Sequence, residues 1–283
     1  MRSEDVTVIT ARKKWFDFKL GELFKYRDLI FLFVRRNFHA RFRQTVLGPL
    51  WALINPLLTT VVFTVIFGSV AGLPTDGAPK FLFYMCGNVA WGYFSSCFTG
   101  TANTFVNNAS LLGKVYFPRL VMPVTTVIDN LINFTIQSGI FLVFWAVYVA
   151  KGSVSPNYAL IPLCLVLIVQ MAVLGLGFGI IVSALTTKYR DLAMLVSFGV
   201  QLWLYASPVA YSSELVKAKL PGFWSLFMLN PMAPVIESFR YIFLGTGNFY
   251  WGWLLISAAV SLAVLFVGLV LFGRVEKTFM DTV

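Results

Sequence analysis

The sequence predicts an all-α polytopic membrane protein with six transmembrane helices, an N-terminal amphipathic interface helix, and a re-entrant helical pair between spans five and six. Composition, run length and charge placement predict it. The 283 residues are 58% hydrophobic and only 12% charged, where a soluble domain carries about 25% charged residues. Mean hydropathy is +0.79. Several runs exceed the roughly 18 largely uncharged residues that a membrane helix needs. The net charge of +10 is concentrated at one end. Eleven basic residues (Arg2, Arg12, Lys13, Lys14, Lys19, Lys25, Arg27, Arg35, Arg36, Arg41 and Arg43) precede residue 45. Basic residues crowded before a first span signal topology and membrane-surface attraction rather than nucleic-acid binding.

Residues 1–49 read as a cytoplasmic basic segment. No secretory signal peptide is expected, because residues 1–28 lack an uninterrupted apolar core. "RDLIFLFVRRNFHARFRQT" (27–45) predicts the interface helix. Phe31, Val34, Phe38 and Phe42 recur on one narrow face, with Arg36, His39, Ala40 and Arg43 opposite. A basic helix with aromatic residues on its apolar side lies in the membrane interface.

One transmembrane domain follows, 50–273, with spans at 50–72, 81–104, 123–149, 159–185, 192–210 and 251–273; residues 274–283 form a tail. With the N-terminus inside, the inner segments hold 17 Lys and Arg. The outer ones hold 5, namely Lys80, Lys151, Lys217, Lys219 and Arg240. The positive-inside rule then puts both termini in the cytoplasm. "FWSLFMLNPMAPVIESFRYIFL" (223–244) is long enough to span, but it carries Pro231, Pro234, Glu237 and Arg240. Each such charge at the bilayer centre costs about 2.5–3.5 kcal/mol on insertion scales. Residues 212–250 are therefore placed as two short helices dipping in from the outer face, where broken backbone is tolerated if buried in protein.

Signs of catalysis are absent from the sequence. It has no G-x-x-x-x-G-K-[ST] phosphate loop. "GLGFG" (175–179) falls mid-span with no strand before it, and Gly175 and Gly179 read as a close-packing pair. His39 is the single histidine, so neither a metal site nor a histidine-based triad is supported. Cys86, Cys97 and Cys164 lie in apolar runs and imply no disulfide framework.

Polar groups inside the spans are the remaining candidates. Asp129, Asn133 and Gln137, with Asn130 beside them, form a stripe in the third span that serves as interhelical glue or as a proton relay, the glue being favoured. Three stripes mix rings with hydrogen-bonding groups: Trp51, Asn55, Thr59 and Phe63 in the first span; Tyr84, Asn88, Trp91, Ser95 and Phe98 in the second; Ser197, Gln201, Tyr205 and Pro208 in the fifth. Residues three or four apart share a helical face. Helix packing explains any one of them, but three together point to a glycan conduit. Pro208 ends or kinks the fifth span and frees carbonyls that Ser207, Ser212 and Ser213 can satisfy. Tyr205 and Tyr211 would then form the outer lip of the path, with Trp203 in an ordinary aromatic belt. The cytoplasmic loop 107–122 carries Leu111, Leu112, Val115, Tyr116 and Phe117, rimmed by Lys114 and Arg119. An apolar patch of this kind reads as a docking site for another protein.

"YRDLIFLFVRR…ARFRQTVLGPLWALINPLL" (26–58) resembles the opening signature of polysaccharide-exporting ABC permeases of the type-2 exporter fold. "LLGKVYFPRLVMP" (111–123) is similar to their cytoplasmic coupling helix. "YASPVAY" (205–211), "LNPMAPVIESFR" (229–240) and "RVEKTFMDTV" (274–283) match later landmarks in order, so the resemblance covers nearly the whole chain. Asn37 departs from it, because relatives often carry an acidic residue there. The resemblance implies a non-enzymatic half-transporter in the bacterial inner membrane. Two copies would form a homodimeric pore for a lipid-linked glycan such as O-antigen, capsule or teichoic acid. Two copies of a separate ATPase, holding the ATP and Mg, would dock at the coupling loop. The alternatives are a drug or small-lipid exporter of the same fold and an ion-coupled secondary transporter. The latter should show paired intramembrane charges and an internal repeat.

Overall fold

The structure, a computed structural model, describes residues 20–42, 50–108, 111, 117–186 and 192–278. All regular structure among them is helical. Helix α1 (Leu20–Lys25) leads into α2 (Arg27–Phe42). Helix α3 (Trp51–Phe63) continues as a wider π-helical stretch, Thr64–Val70. Next come α4 (Lys80–Ala102), α5 (Thr104–Asn107), α6 (Val121–Ala150), α7 (Leu163–Thr186) and α8 (Leu192–Tyr205). The chain then forms α9 (Ser213–Lys219), α10 (Pro221–Met228), α11 (Met232–Leu244) and the long α12 (Trp251–Thr278).

Among the described residues, four helices are long and apolar enough to cross a membrane: Trp51–Val70, Val121–Ala150, Leu163–Thr186 and Trp251–Gly273. These coincide with spans one, three, four and six. Helix α4 has the length, 23 residues, but falls short in hydropathy. Its position explains the composition. It packs against α3, α6, α7, α8 and α11, and almost every residue from Leu82 to Phe94 is buried. A helix sheathed by other helices needs no apolar outer surface. Helix α8, at 14 residues, is shorter than a full span.

The glycine pair in α7 does what close packing requires. A Cβ on Gly175 would lie 2.7 Å from Cys97 Cβ, and one on Gly179 would lie 2.4 Å from Thr101 Cβ, both on α4. Gly177, between them, faces the other way: its Cβ would meet the Leu265 backbone nitrogen of α12 at 2.8 Å. Small residues therefore bring α7 to backbone distance of two neighbours at once.

One expectation needs correction. The segment 212–250 holds three helices rather than two. Leu220 takes an extended φ of −136° before Pro221, since the residue preceding a proline avoids helical geometry, and this splits α9 from α10. The predicted apolar stripe of α2 is largely left uncovered by the rest of the chain. Phe31 is 71% and Phe38 37% exposed. Only Val34 of the described stripe is buried; the Phe42 and Arg43 side chains lie outside the described residues. Helix α2 packs on α6 through Phe33, which clusters with Phe117, Val121 and Met122, while the Arg36 guanidinium stacks over the Phe33 ring.

Candidate functional site

The polar groups converge at the end of α8. The helix stops at Tyr205, three residues before Pro208, and two of its last carbonyls find side-chain donors, though not the serines expected. Tyr211 Oη donates to Tyr205 O (2.7 Å), and Asn230 Nδ2 donates to Ala206 O (3.0 Å) and to Ser207 Oγ (2.9 Å). Asn230 Oδ1 accepts from Trp203 Nε1 and from the Met232 backbone N–H, which starts α11. One amide thus ties the end of α8 to the start of α11. Ser212 instead caps α9 through the Leu215 N–H and donates to Asp76 Oδ1 (3.0 Å) in the 71–79 loop.

Arg240 holds the next turn. Its side chain is 1% exposed. It donates to Val209 O (2.7 Å), Tyr211 O (3.2 Å) and Glu237 Oε1 (3.3 Å), and its guanidinium lies 3.6 Å from the Phe83 ring centroid. Glu237 Oε1 also accepts the Ser213 N–H. Gly87 makes the space: a Cβ there would sit 2.8 Å from Arg240 Nη2. The two charges that argue against a span are thus each other's partners, one helical turn apart. Charges three residues apart in an apolar run are the sequence signal that could have revealed the pair. Partners contributed by residues 76, 83, 87 and 209 leave no such trace.

Glu214 sits beyond this clamp. Asn248 Nδ2 (2.8 Å) and Tyr250 Oη donate to it. Desolvation pushes its carboxyl up, but those two hydrogen bonds and the Lys217 charge outweigh it and hold the carboxyl below its ordinary value. Burial and the same carboxylate push the Tyr250 phenol up. Lys217 lies over the Trp224 and Tyr250 rings.

The predicted path residues divide in two. Tyr84, Asn88, Trp91 and Phe98 are buried within the chain. Asn88 reaches Thr60 Oγ1 (3.4 Å), and Trp91 and Phe98 pack with Phe94 and Phe178 around Trp203. These four are core side chains and touch no open path. Trp203 belongs to that cluster rather than to an aromatic belt. Ser95 is half-buried and donates to Gly92 O. Ser207 and Pro208 are buried too, and Tyr211 is half-buried. By contrast, Trp51, Asn55 and Thr59 on α3 and Ser197, Gln201 and Tyr205 on α8 are exposed.

The family model of the ABC-2 type transporter matches residues 28–244. The chain belongs to this family. It is similar to the O-antigen export system permease protein RfbA of Klebsiella pneumoniae, 31% identical over 265 residues that cover 93% of this chain and 97% of the relative. A protein of the same name from Myxococcus xanthus is 30% identical over 93% of this chain and 98% of its own length. The polysialic acid transport protein KpsM of Escherichia coli is 23% identical over 87% of this chain and 93% of its own. This ABC-2 chain is therefore a multi-pass membrane protein.

The 107–122 loop is partly described in this ABC-2 protein. Phe117 is buried against Phe33 at 5.7 Å between ring centroids, and Leu111 packs on the same cluster. Neither is free to enter a partner's groove, because α2 already covers them. Arg119 is half-buried, and Leu112, Lys114, Val115 and Tyr116 lie outside the described residues. Asp129 joins the same region: Asn37 Nδ2 donates to Asp129 Oδ2 (2.6 Å), and Arg36 Nη2 donates to Asn37 Oδ1 (3.0 Å). Asn130 donates to Ser96 O of α4 (3.0 Å). Both acid and amide bind helix to helix, as the glue reading expects.

Proposed function

We propose that this chain is the membrane-spanning half of an ATP-driven exporter that moves a lipid-linked polysaccharide outward through a homodimeric pore. The observation that carries this reading is the pair of amides left bare on apolar helices, Asn55 on α3 and Gln201 on α8. An uncompensated amide facing hydrocarbon costs free energy, so such faces belong against protein or a wet cavity. Two copies meeting through α3 and α8 would enclose both amides, with Trp51, Thr59, Ser197 and Tyr205 beside them, in a shared passage. A sliding polymer suits such a lining, because rings and scattered hydrogen-bonding groups give many weak contacts and no tight site. The full-length similarity to permeases named for O-antigen export supports the substrate class.

In this reading the chain crosses the bacterial inner membrane six times, α4 and α8 included, with both termini cytoplasmic and α2 in the inner interface. ATP and Mg belong to a separate ATPase, two copies of which dock at the 107–122 loop through Leu112, Lys114, Val115 and Tyr116. The test is export of surface polysaccharide in a strain lacking the native gene. Asn55→Leu and Gln201→Leu should each lower export several-fold while the dimer and its co-purifying ATPase remain intact. Normal export in the double mutant would reduce both faces to packing surfaces.

A further inference from the structure

A groove of about 510 Å³ runs between α2 and α6. Phe24, Ile30, Phe31 and Val34 line one wall and Val124 and Ile128 the other; Arg27 is its charged lining residue. Its volume is in the range of small-ligand sites. Two features indicate what fills it. First, Val124 and Ile128 lie on a stripe of α6 that continues through the exposed Leu131 and Leu142, so the groove is the end of a face of this helix that the chain leaves uncovered. Second, the helices that wall it are basic: residues 20–42 hold five Lys and Arg against two acidic residues. Arg27 itself is highly exposed, and its Asp28 contact is a 3.7 Å surface pair, too weak to hold it against a stronger anion.

We propose that this groove is a binding site for an anionic glycerophospholipid, with one acyl chain between α2 and α6 and the phosphate at Arg27. Apolar walls take the chain by burial, and the guanidinium pairs with phosphate oxygens by charge-assisted hydrogen bonds. The bound lipid would fasten α2 to α6 on the side opposite the Phe33 cluster. The site rests on the inner-interface placement of α2 given above.

The experiment uses the assembled transporter in nanodiscs containing phosphatidylglycerol with a diazirine on its acyl chain, with adducts mapped by peptide mass spectrometry. Irradiation should label the peptides carrying Ile30–Val34 and Val124–Ile128, and also Val143 and Val147. Arg27→Gln should cut the groove adducts at least three-fold without changing those at Val143 and Val147. Replacing the probe by diazirine-phosphatidylcholine should do the same, and Ile128→Trp, which fills the groove, should abolish them. Equal labelling by the two lipids would overturn the proposal by showing an unselective lipid contact. Loss of groove labelling on adding a polyprenyl diphosphate at low concentration would overturn it in favour of a carrier tail. Labelling at Val143 and Val147 with none in the groove would refute the site alone. Absence of labelling everywhere would refute the membrane placement with it.

Discussion

Replacing Arg240 by Met removes the buried charge that pairs with Glu237. Three acceptors lose a donor: Val209 O, Tyr211 O and Glu237 Oε1. The carboxylate keeps the Ser213 N–H alone. Orphaned buried acceptors cost about 1–3 kcal/mol each, and breaking a buried ion pair from one side costs about 3–5 kcal/mol. Both routes lead to a loss near 4 kcal/mol. At about 2–4 °C per kcal/mol for a large domain, Arg240→Met should lower the melting temperature by about 10 °C. Size-exclusion of heated, detergent-solubilised protein reads this directly. The double mutant Glu237→Gln/Arg240→Met should melt higher than Arg240→Met, because the glutamine carbonyl still accepts the Ser213 N–H and no bare charge remains. A wild-type melting temperature in Arg240→Met would refute the clamp. A double mutant less stable than the single would refute the claim that the stranded carboxylate dominates the loss.

Gly179→Ala should cost about 1–3 kcal/mol through overpacking, since its Cβ would meet Thr101 Cβ at 2.4 Å. Gly199→Ala on α8, with nothing within 4 Å, should be neutral or stabilise by up to about 1 kcal/mol; thermal stability compares them. Asp129→Asn should retain most export, because an amide still accepts from Asn37, and a well-assembled but inactive mutant would establish proton relay instead. Glu214, held below its ordinary value, contributes stability that is present above its unfolded value of 4.5 and lost as pH falls through its lower folded value. Asp76, pushed up by burial, acts in the opposite direction, so the wild type is compared with Glu214→Gln. The gap in melting temperature between them, equivalent to about 1 kcal/mol at pH 7 for this partly exposed carboxylate, should close as pH falls below that of ordinary carboxylate titration.

Run length and hydropathy made the helices legible. The predicted 81–104 and 123–149 correspond to Lys80–Ala102 and Val121–Ala150, because an uncharged run must end where charge or proline begins. Facing was less legible. Tyr84, Asn88 and Trp91 share a helical face, but periodicity cannot say whether water or another helix covers it; here α4 is central and helices cover it. Phe117 looked available because the sequence does not show that Phe33, 84 residues earlier, lies across from it. Long-range pairing also hid Asn37–Asp129, separated by 92 residues. The helix end before Pro208 was readable from proline geometry alone, while its donors, Asn230 and Arg240, come from α11 and its approach.

Helix α4 has a mechanical consequence. At 1.5 Å per residue its 23 residues rise about 34 Å. Along its lower half it rests on the backbone of α7 at Gly175 and Gly179 through the short side chains of Cys97 and Thr101, which leave little slack. At its upper end Phe83 and Gly87 cradle Arg240, which grips Val209 and Tyr211. A shaft seated this tightly transmits displacement instead of absorbing it. A tilt imposed at its C-terminal end, where α5 and the 107–122 loop follow, would reach the corner at residues 209–211 nearly undiminished. Among the described residues, α3 and α8 each leave a face uncovered and are freer to yield.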